Sequence, residues 1–204
     1  MIQRDIDFFY WINSHHTPWL DWVMWVASQG WSWAIVLTAT IIYMVVKTDG
    51  RWFAAFGWIM AGVGLCFLFS DRISVMCFKD VFCRLRPCHA LENVRMFQTS
   101  CGGLYGFVSS HAANVFALAL FLTLRFKQKR KHNPNKGVSL LTILIFFWAI
   151  LVSYSRPYLG KHYPGDVVCG ALLGLLVGVA VFFIIQSTEK WTNRLVEQKK
   201  SAKR

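Results

Sequence analysis

The sequence predicts an all-α polytopic membrane helix bundle, with about five transmembrane helices and an N-terminal interfacial helix or helices. Three observations carry that expectation. The 204-residue chain is 55% hydrophobic with a mean hydropathy of +0.41, and only 16% of its residues are charged, against roughly one quarter in soluble domains. The apolar residues gather in long uncharged runs at 22–46, 52–70, 112–124, 138–154 and 167–185. The basic residues gather between those runs, two in 47–51, six in 125–136 and six in 187–204. A spanning helix needs about 20 mostly apolar residues, with a range of roughly 17 to 25.

Taken in order, residues 1–30 alternate aromatic and polar side chains, as expected of a segment lying in the interface rather than of a cleaved leader. Thr17-Pro18 starts a second helix there, with Pro18 at its first position. Spans follow at 31–46 (extendable back toward Trp22), 52–70 (extendable to Phe78), 107–124, 138–155 and 166–186. The basic loops and the tail 187–204 then all fall on one side, which the positive-inside bias makes cytoplasmic. Alternation puts loops 71–106 and 155–166 together on the outer face. Gly170, Gly174 and Gly178 form a small-residue ridge that lets another helix approach closely. The whole chain 1–204 reads as one membrane-embedded domain. A net charge of +12 confined to loops and tail lacks the continuous basic face of a nucleic-acid binder, so no nucleic acid is expected as a partner.

Polar residues are concentrated in three clusters on that shared face. "KDVFCRLRP" holds Lys79, Arg86 and Pro87. "VSSH" holds Ser109, Ser110 and His111 at a helix start. "SRPYLGKHYPGD" holds Ser155, Arg156, His162 and Asp166. Lys79, Arg86 and Arg156 supply three cations, and guanidinium forks match phosphate oxygens. Ser109 and Ser110 add hydroxyls and free backbone N–H groups at a helix N-terminus. Asp166, one helical turn after His162, is placed to hold one ring nitrogen protonated and leave the other free to attack.

These clusters resemble the type 2 phosphatidic acid phosphatase family, which includes acid phosphatases and vanadium haloperoxidases. Its signature is K-x6-RP, PSGH and SR-x5-H-x3-D. The first and third parts match without a gap. In the second, Val108 stands for proline and Ser110 for glycine. The resemblance implies an integral membrane lipid phosphatase in which His162 is the nucleophile, His111 the acid and base, and Asp166 the partner of His162. Lys79, Arg86, Ser109, Ser110 and Arg156 would bind phosphate, with no metal and no cofactor. The expected partners are the bilayer and a lipid phosphate at the outer leaflet of a bacterial inner membrane. Undecaprenyl diphosphate and lipid A phosphates lead the substrates. Phosphatidylglycerol phosphate, phosphatidic acid or phosphotransfer to another acceptor stand as alternatives.

Other residues receive plainer readings. Arg72, Arg84, Arg95 and Lys161 are expected to snorkel, with Arg84 or Lys161 in reach of a headgroup. His15, His16, His89 and His132 are expected at caps or on the surface. A Cys88–Cys101 bridge would pin the loop between the first two clusters. The alternative is a metal site from Cys83, Cys88, His89 and Cys101, for which "CRLRPCH" lacks the usual zinc spacing. Cys66 and Cys169 read as buried helix residues.

Overall fold

The computed structural model describes residues 2–46, 52–129 and 139–202. The basic loop 47–51, residues 130–138 of the second basic loop (with His132) and the last two residues of the tail lie outside them. The described residues form helices α1 (Ile2–Ser14), α2 (Pro18–Ser28), α3 (Gly30–Val46) and α4 (Trp52–Ile73). A π-helical turn, Ser74–Lys79, carries α4 without a break into α5 (Asp80–Phe82), 31 helical residues together. After α6 (Pro87–Ala90) come α7 (Ser110–Lys129), α8 (Leu140–Tyr158) and α9 (Pro164–Ser201).

Three of these segments, Trp52–Phe82, Leu140–Tyr158 and Pro164–Ser201, are long and apolar enough to cross a membrane. A fourth exists if α2 and α3, bent by 67° at Gln29, count as one broken span. The expected five include α7, which does not meet that length-and-hydropathy test on its own. The reason is its place in the fold. It is the innermost helix, packed on α9, α4 and α8, and its Ala112, Ala113, Ala117, Ala119 and Phe121 are fully buried. Packed among other helices, it tolerates His111, Asn114 and Arg125 along its length.

The glycine ridge of α9 faces α7. A Cβ at Gly170 would come within 2.5 Å of the Ser109 carbonyl, and one at Gly178 within 2.6 Å of that of Ala117. At Gly174 it would collide with the Ala113 carbonyl. The absence of side chains there lets the two backbones touch. Helix α9 continues through the expected tail to Ser201, 38 residues, or about 57 Å at 1.5 Å per residue. That exceeds the ~30 Å of a hydrocarbon core, so part of it projects beyond.

The N-terminal helices pack on the bundle rather than standing apart. Helix α1 rests on α8 and α9, and α2 rests on α8. Phe9 is fully buried against the Tyr163 ring, 5.7 Å between centroids, while Phe8 and Trp11 are exposed on α1. Ile12, Met24, Tyr158 and Leu159 form a small core beneath these helices. Arg95 corrects its expected reading. Instead of snorkelling, it forks onto Asp21 at 2.9 and 2.6 Å, and the Tyr158 hydroxyl donates to the same carboxylate at 2.7 Å. Asp21 is buried, and a buried carboxylate must be paired.

Candidate active site

The ends of α5, α8 and the starts of α7 and α9 meet at one end of the bundle, with loops 83–109 and 159–163 over them. The π-helical turn adds a residue per turn just before this end, and Lys79 is its last residue. The Lys79 ammonium donates to the Ser110 hydroxyl at 2.6 Å, which in turn donates to Ser74 at 3.2 Å. Ser74 donates to the Ser70 carbonyl. The sequence clusters omit Ser74, since a serine inside an apolar helix carries no local signal of what it will face.

Arg86 sits between two loop strands. Its backbone N–H donates to the Leu104 carbonyl at 3.1 Å and its Nε to the Gly103 carbonyl at 2.6 Å. Its Nη1 donates to the Lys161 carbonyl at 3.2 Å and lies 2.7 Å from His162 Nε2. A guanidinium has only donors, so Nε2 is the nitrogen with the lone pair and Nδ1 carries the proton. Nδ1 is buried, has no hydrogen-bond partner and lies 3.6 Å from Asp166 Oδ2. That is just beyond hydrogen-bond range.

Arg156, 3% exposed, donates to Ser28 at 2.5 Å. Its charge and those of Arg86 and Lys79 all bear on His162. Burial first, and then these three cations, hold His162 well below the ordinary histidine value of 6.5. The ring is therefore neutral at neutral pH. Lys161, half-buried near Arg156 and Arg86, is pushed down to about 8, mainly by burial. His111 lies within electrostatic reach of Arg156, His162, Lys161 and Arg86, with its ring edge-on to Trp33 at 5.2 Å.

Ser109 departs in part from its expected role. It is fully buried and its N–H donates to the Asp166 carbonyl at 3.0 Å, so that donor is already used in joining α7 to α9. Asp166 is fully buried, and its Oδ2 accepts the Tyr163 N–H at 3.0 Å in a capping box that starts α9. Its Oδ1 accepts from Arg84 at 2.7 Å. Arg84, expected to snorkel, is thus held in an ion pair. It lies beside a buried carboxylate that attracts it more strongly than water does.

Cys88 and Cys101 form a disulfide. It closes the loop that supplies the Gly103 carbonyl to Arg86. Cys88, His89 and Cys101 form the one group among the described residues with metal-ligand proximity, but paired sulfurs offer no thiolate. Cys83 is exposed, Cys66 buried and Cys169 partly buried. His15, His16 and His89 are exposed, as expected. A cavity of about 320 Å³, lined mostly by apolar side chains including Trp33, Leu37, Phe67, Leu118, Ile145 and Trp148, lies between α3, α4, α7 and α8. Trp33 joins it to His111.

The PAP2 superfamily model matches residues 52–190. This chain belongs to the PAP2 superfamily. It is 35% identical over 188 residues to the lipid A 4'-phosphatase of Bacteroides thetaiotaomicron, covering 90% of this chain and 76% of that protein. It is 30% identical over 195 residues to the lipid A 4'-phosphatase of Porphyromonas gingivalis, covering 94% and 77%. Two solved structures share the fold. LpxE of Aquifex aeolicus superposes with a TM-score of 0.57 at 22% identity, covering 86% of this chain and 93% of that one. A PAP2-type phosphatidylglycerolphosphate phosphatase of Bacillus subtilis superposes with 0.63 at 20%, covering 92% and 85%.

Proposed function

We propose that this protein is a membrane lipid phosphatase that removes the 4'-phosphate of lipid A through a phosphohistidine at His162. The observation that carries the chemistry is the His162 ring, with its unprotonated Nε2 toward Arg86 and its Nδ1 toward Asp166. The choice of lipid A is supported by the two relatives of that name.

In the first step the Nε2 lone pair forms a bond to phosphorus. The P–O bond to the lipid breaks, and His111, which takes up a proton as the phosphate anion enters among the cations around it, gives that proton to the leaving oxygen. In the second step water forms a new P–O bond, the P–N bond breaks, and His111 takes the proton of that water. Phosphoryl transfer depends chiefly on positioning and charge stabilisation. Lys79, Arg86 and Arg156 supply that charge, with Ser109 and Ser110 beside them, so no metal is required. The apolar cavity adjoining Trp33 takes an acyl chain while the headgroup enters the cation cluster. The site faces the periplasm, from the outer leaflet of the inner membrane, because the basic segments of the sequence favour the cytoplasm.

The test is phosphate release by the purified protein, in chelator, from bisphosphorylated lipid A, undecaprenyl diphosphate, phosphatidylglycerol phosphate and phosphatidic acid. Mass spectrometry should show lipid A losing its 4'-phosphate fastest. Fastest release from another lipid would reassign the substrate, and a requirement for added metal would contradict the mechanism. His162→Ala should abolish labelling of the protein by a phosphate-labelled substrate. A substrate with a good leaving group should still label His111→Ala. Labelling that survives in His162→Ala but vanishes in His111→Ala reverses the two roles. A reporter after Arg204 should be cytoplasmic and one near Glu92 external; the opposite pattern places the site inside.

A further inference from the structure

Beyond the cation cluster, a second set of contacts converges on Asp166 from α1. Arg84 Nη1 donates to Asp166 Oδ1 and Arg84 Nη2 to Asp5 Oδ2, both at 2.7 Å. The other oxygen of Asp5 accepts the Gly165 N–H at 2.7 Å. The Arg84 guanidinium lies over the Tyr163 ring, 3.9 Å from its centroid. We infer that Asp5 and Arg84 are positioning residues for the His162–Asp166 pair, which makes α1 a working part of the active site. The inference rests on the phosphatase reading above.

Geometry and charge both support it. The Asp166 carboxylate can rotate about its last bond unless both oxygens are held. Arg84 holds Oδ1, which leaves Oδ2 to the Tyr163 N–H and to His162 Nδ1. Arg84 is itself fixed, because its second prong is on Asp5 and its face is on Tyr163. Asp5 is only 17% exposed and Arg84 26%, so solvent competes weakly.

Charge makes the stronger case. Two carboxylates share one guanidinium, so the set of Asp5, Arg84 and Asp166 carries one net negative charge. When His162 Nε2 bonds to phosphorus, its ring becomes positive, and that residual charge stabilises it. Without Asp5, Arg84 would neutralise Asp166 and the imidazolium would lose this support. Without Arg84, Asp166 would keep its charge but lose its orientation. Both losses fall on the chemical step rather than on substrate binding.

The experiment compares Asp5→Asn, Arg84→Gln, their double variant and Ile12→Val with the wild type on bisphosphorylated lipid A in detergent. Ile12→Val loosens the packing of the same helix, on Met24, Tyr158 and Leu159, without touching the charges or the Tyr163 ring. Asp5→Asn and Arg84→Gln should each lower kcat about 10-fold with KM within about 2-fold, the scale of a small misplacement of a reacting group. The double variant should be no worse than Arg84→Gln, because coupled residues are non-additive. Ile12→Val should keep kcat within about 2-fold of wild type. Wild-type kcat in Asp5→Asn, additive losses in the double variant, or an equal loss in Ile12→Val would each overturn the inference.

A second arm is independent of turnover. In protein carrying nitrogen-15 histidine, the His162 ring resonances report which nitrogen bears the proton and how strongly it is held. They should shift in Asp5→Asn and Arg84→Gln but not in Ile12→Val. Unchanged resonances overturn the inference. A wild type that releases phosphate from no lipid defeats the phosphatase reading and leaves this arm to decide.

Discussion

Two sets of cations in this molecule look alike in the sequence and differ in what faces them. Arg84, Arg95 and Arg125 each meet a carboxylate, at 2.7, 2.6 and 2.6 Å. Lys79, Arg86 and Arg156 meet a hydroxyl, carbonyls, an imidazole and a hydroxyl, and among the described residues none of the three forms an ion pair. At one end of α7 the fully buried Arg125 is neutralised by Glu189. At the other end three cations converge on a neutral histidine. A buried charge without a counter-charge is costly, and a protein sustains it where a ligand brings the missing charge. Under the proposed function the unpaired set is the place for an anion, while the paired set ties together segments far apart in sequence and, at Arg84, also orients Asp166.

The largest effect should separate the two sets directly. Arg156→Lys keeps the charge and loses the fork, so it should lower kcat/KM by about 100-fold with little change in melting temperature. Arg125→Met should do the reverse. It leaves Glu189 unpaired, and because Glu189 is 27% exposed the loss should be about 1–3 kcal/mol of stability. Activity per folded molecule should be retained. Matched activity assays and thermal melts check both, and a stability loss in Arg156→Lys equal to that in Arg125→Met would dissolve the distinction.

Reduction of the disulfide should come next. Cys88 and Cys101 are 13 residues apart, and a loop of that size contributes about 3 kcal/mol in the chain-entropy view. The Cys88→Ser, Cys101→Ser protein should melt lower. It should also show a raised KM, because the loop that aligns Arg86 through Gly103 is loosened. An unchanged KM in the folded protein would mean that Arg86 is placed by His162 and Lys161 alone.

The smallest effect is on pH dependence. His162 is held well below 6.5 by burial and then by Arg86, Arg156 and Lys79, with Asp166 and His111 also facing it. Arg86→Gln removes the largest of the charge effects. It should therefore raise the His162 pKa and move the acid limb of kcat/KM to higher pH. The ionisation of the substrate is common to both proteins and cancels in the comparison. The stability linkage has the same origin. A histidine depressed in the folded state contributes fully above its unfolded value of about 6.5, and that contribution declines as pH falls below it. A limb that stays in place in Arg86→Gln would show that another group sets it.

The two sets were unequally legible in the sequence. Lys79, Arg86, Ser109, Ser110, His111, Arg156, His162 and Asp166 lie in three short segments at helix ends, and the structure brings those segments to one place. The spans of α4, α8 and α9 were readable from hydropathy, and the Cys88–Cys101 pair from position. Arg84 and Arg95 were misread because their partners, Asp5 and Asp21, are 79 and 74 residues away. Nothing periodic or local marks such a pair. The bend between α2 and α3 was hidden for a related reason: the apolar run 22–46 crosses it without a break. Helix α7 falls short of the hydropathy of the other spans because neighbouring helices shelter its polar His111, Asn114 and Arg125.

Asp166 has one more consequence. It caps α9 through the Tyr163 N–H, and it also faces His162. Assembly of the longest helix and readiness of the proposed nucleophile are thus a single event, and a chain in which α9 has not begun correctly cannot present a competent ring. Mutagenesis has to respect this. Alanine at 166 would confound a helix that starts badly with a ring that points badly. Asparagine keeps an oxygen for the cap and gives up the charge, so a folded Asp166→Asn protein with slow phosphorylation of His162 would read the electrostatic share alone.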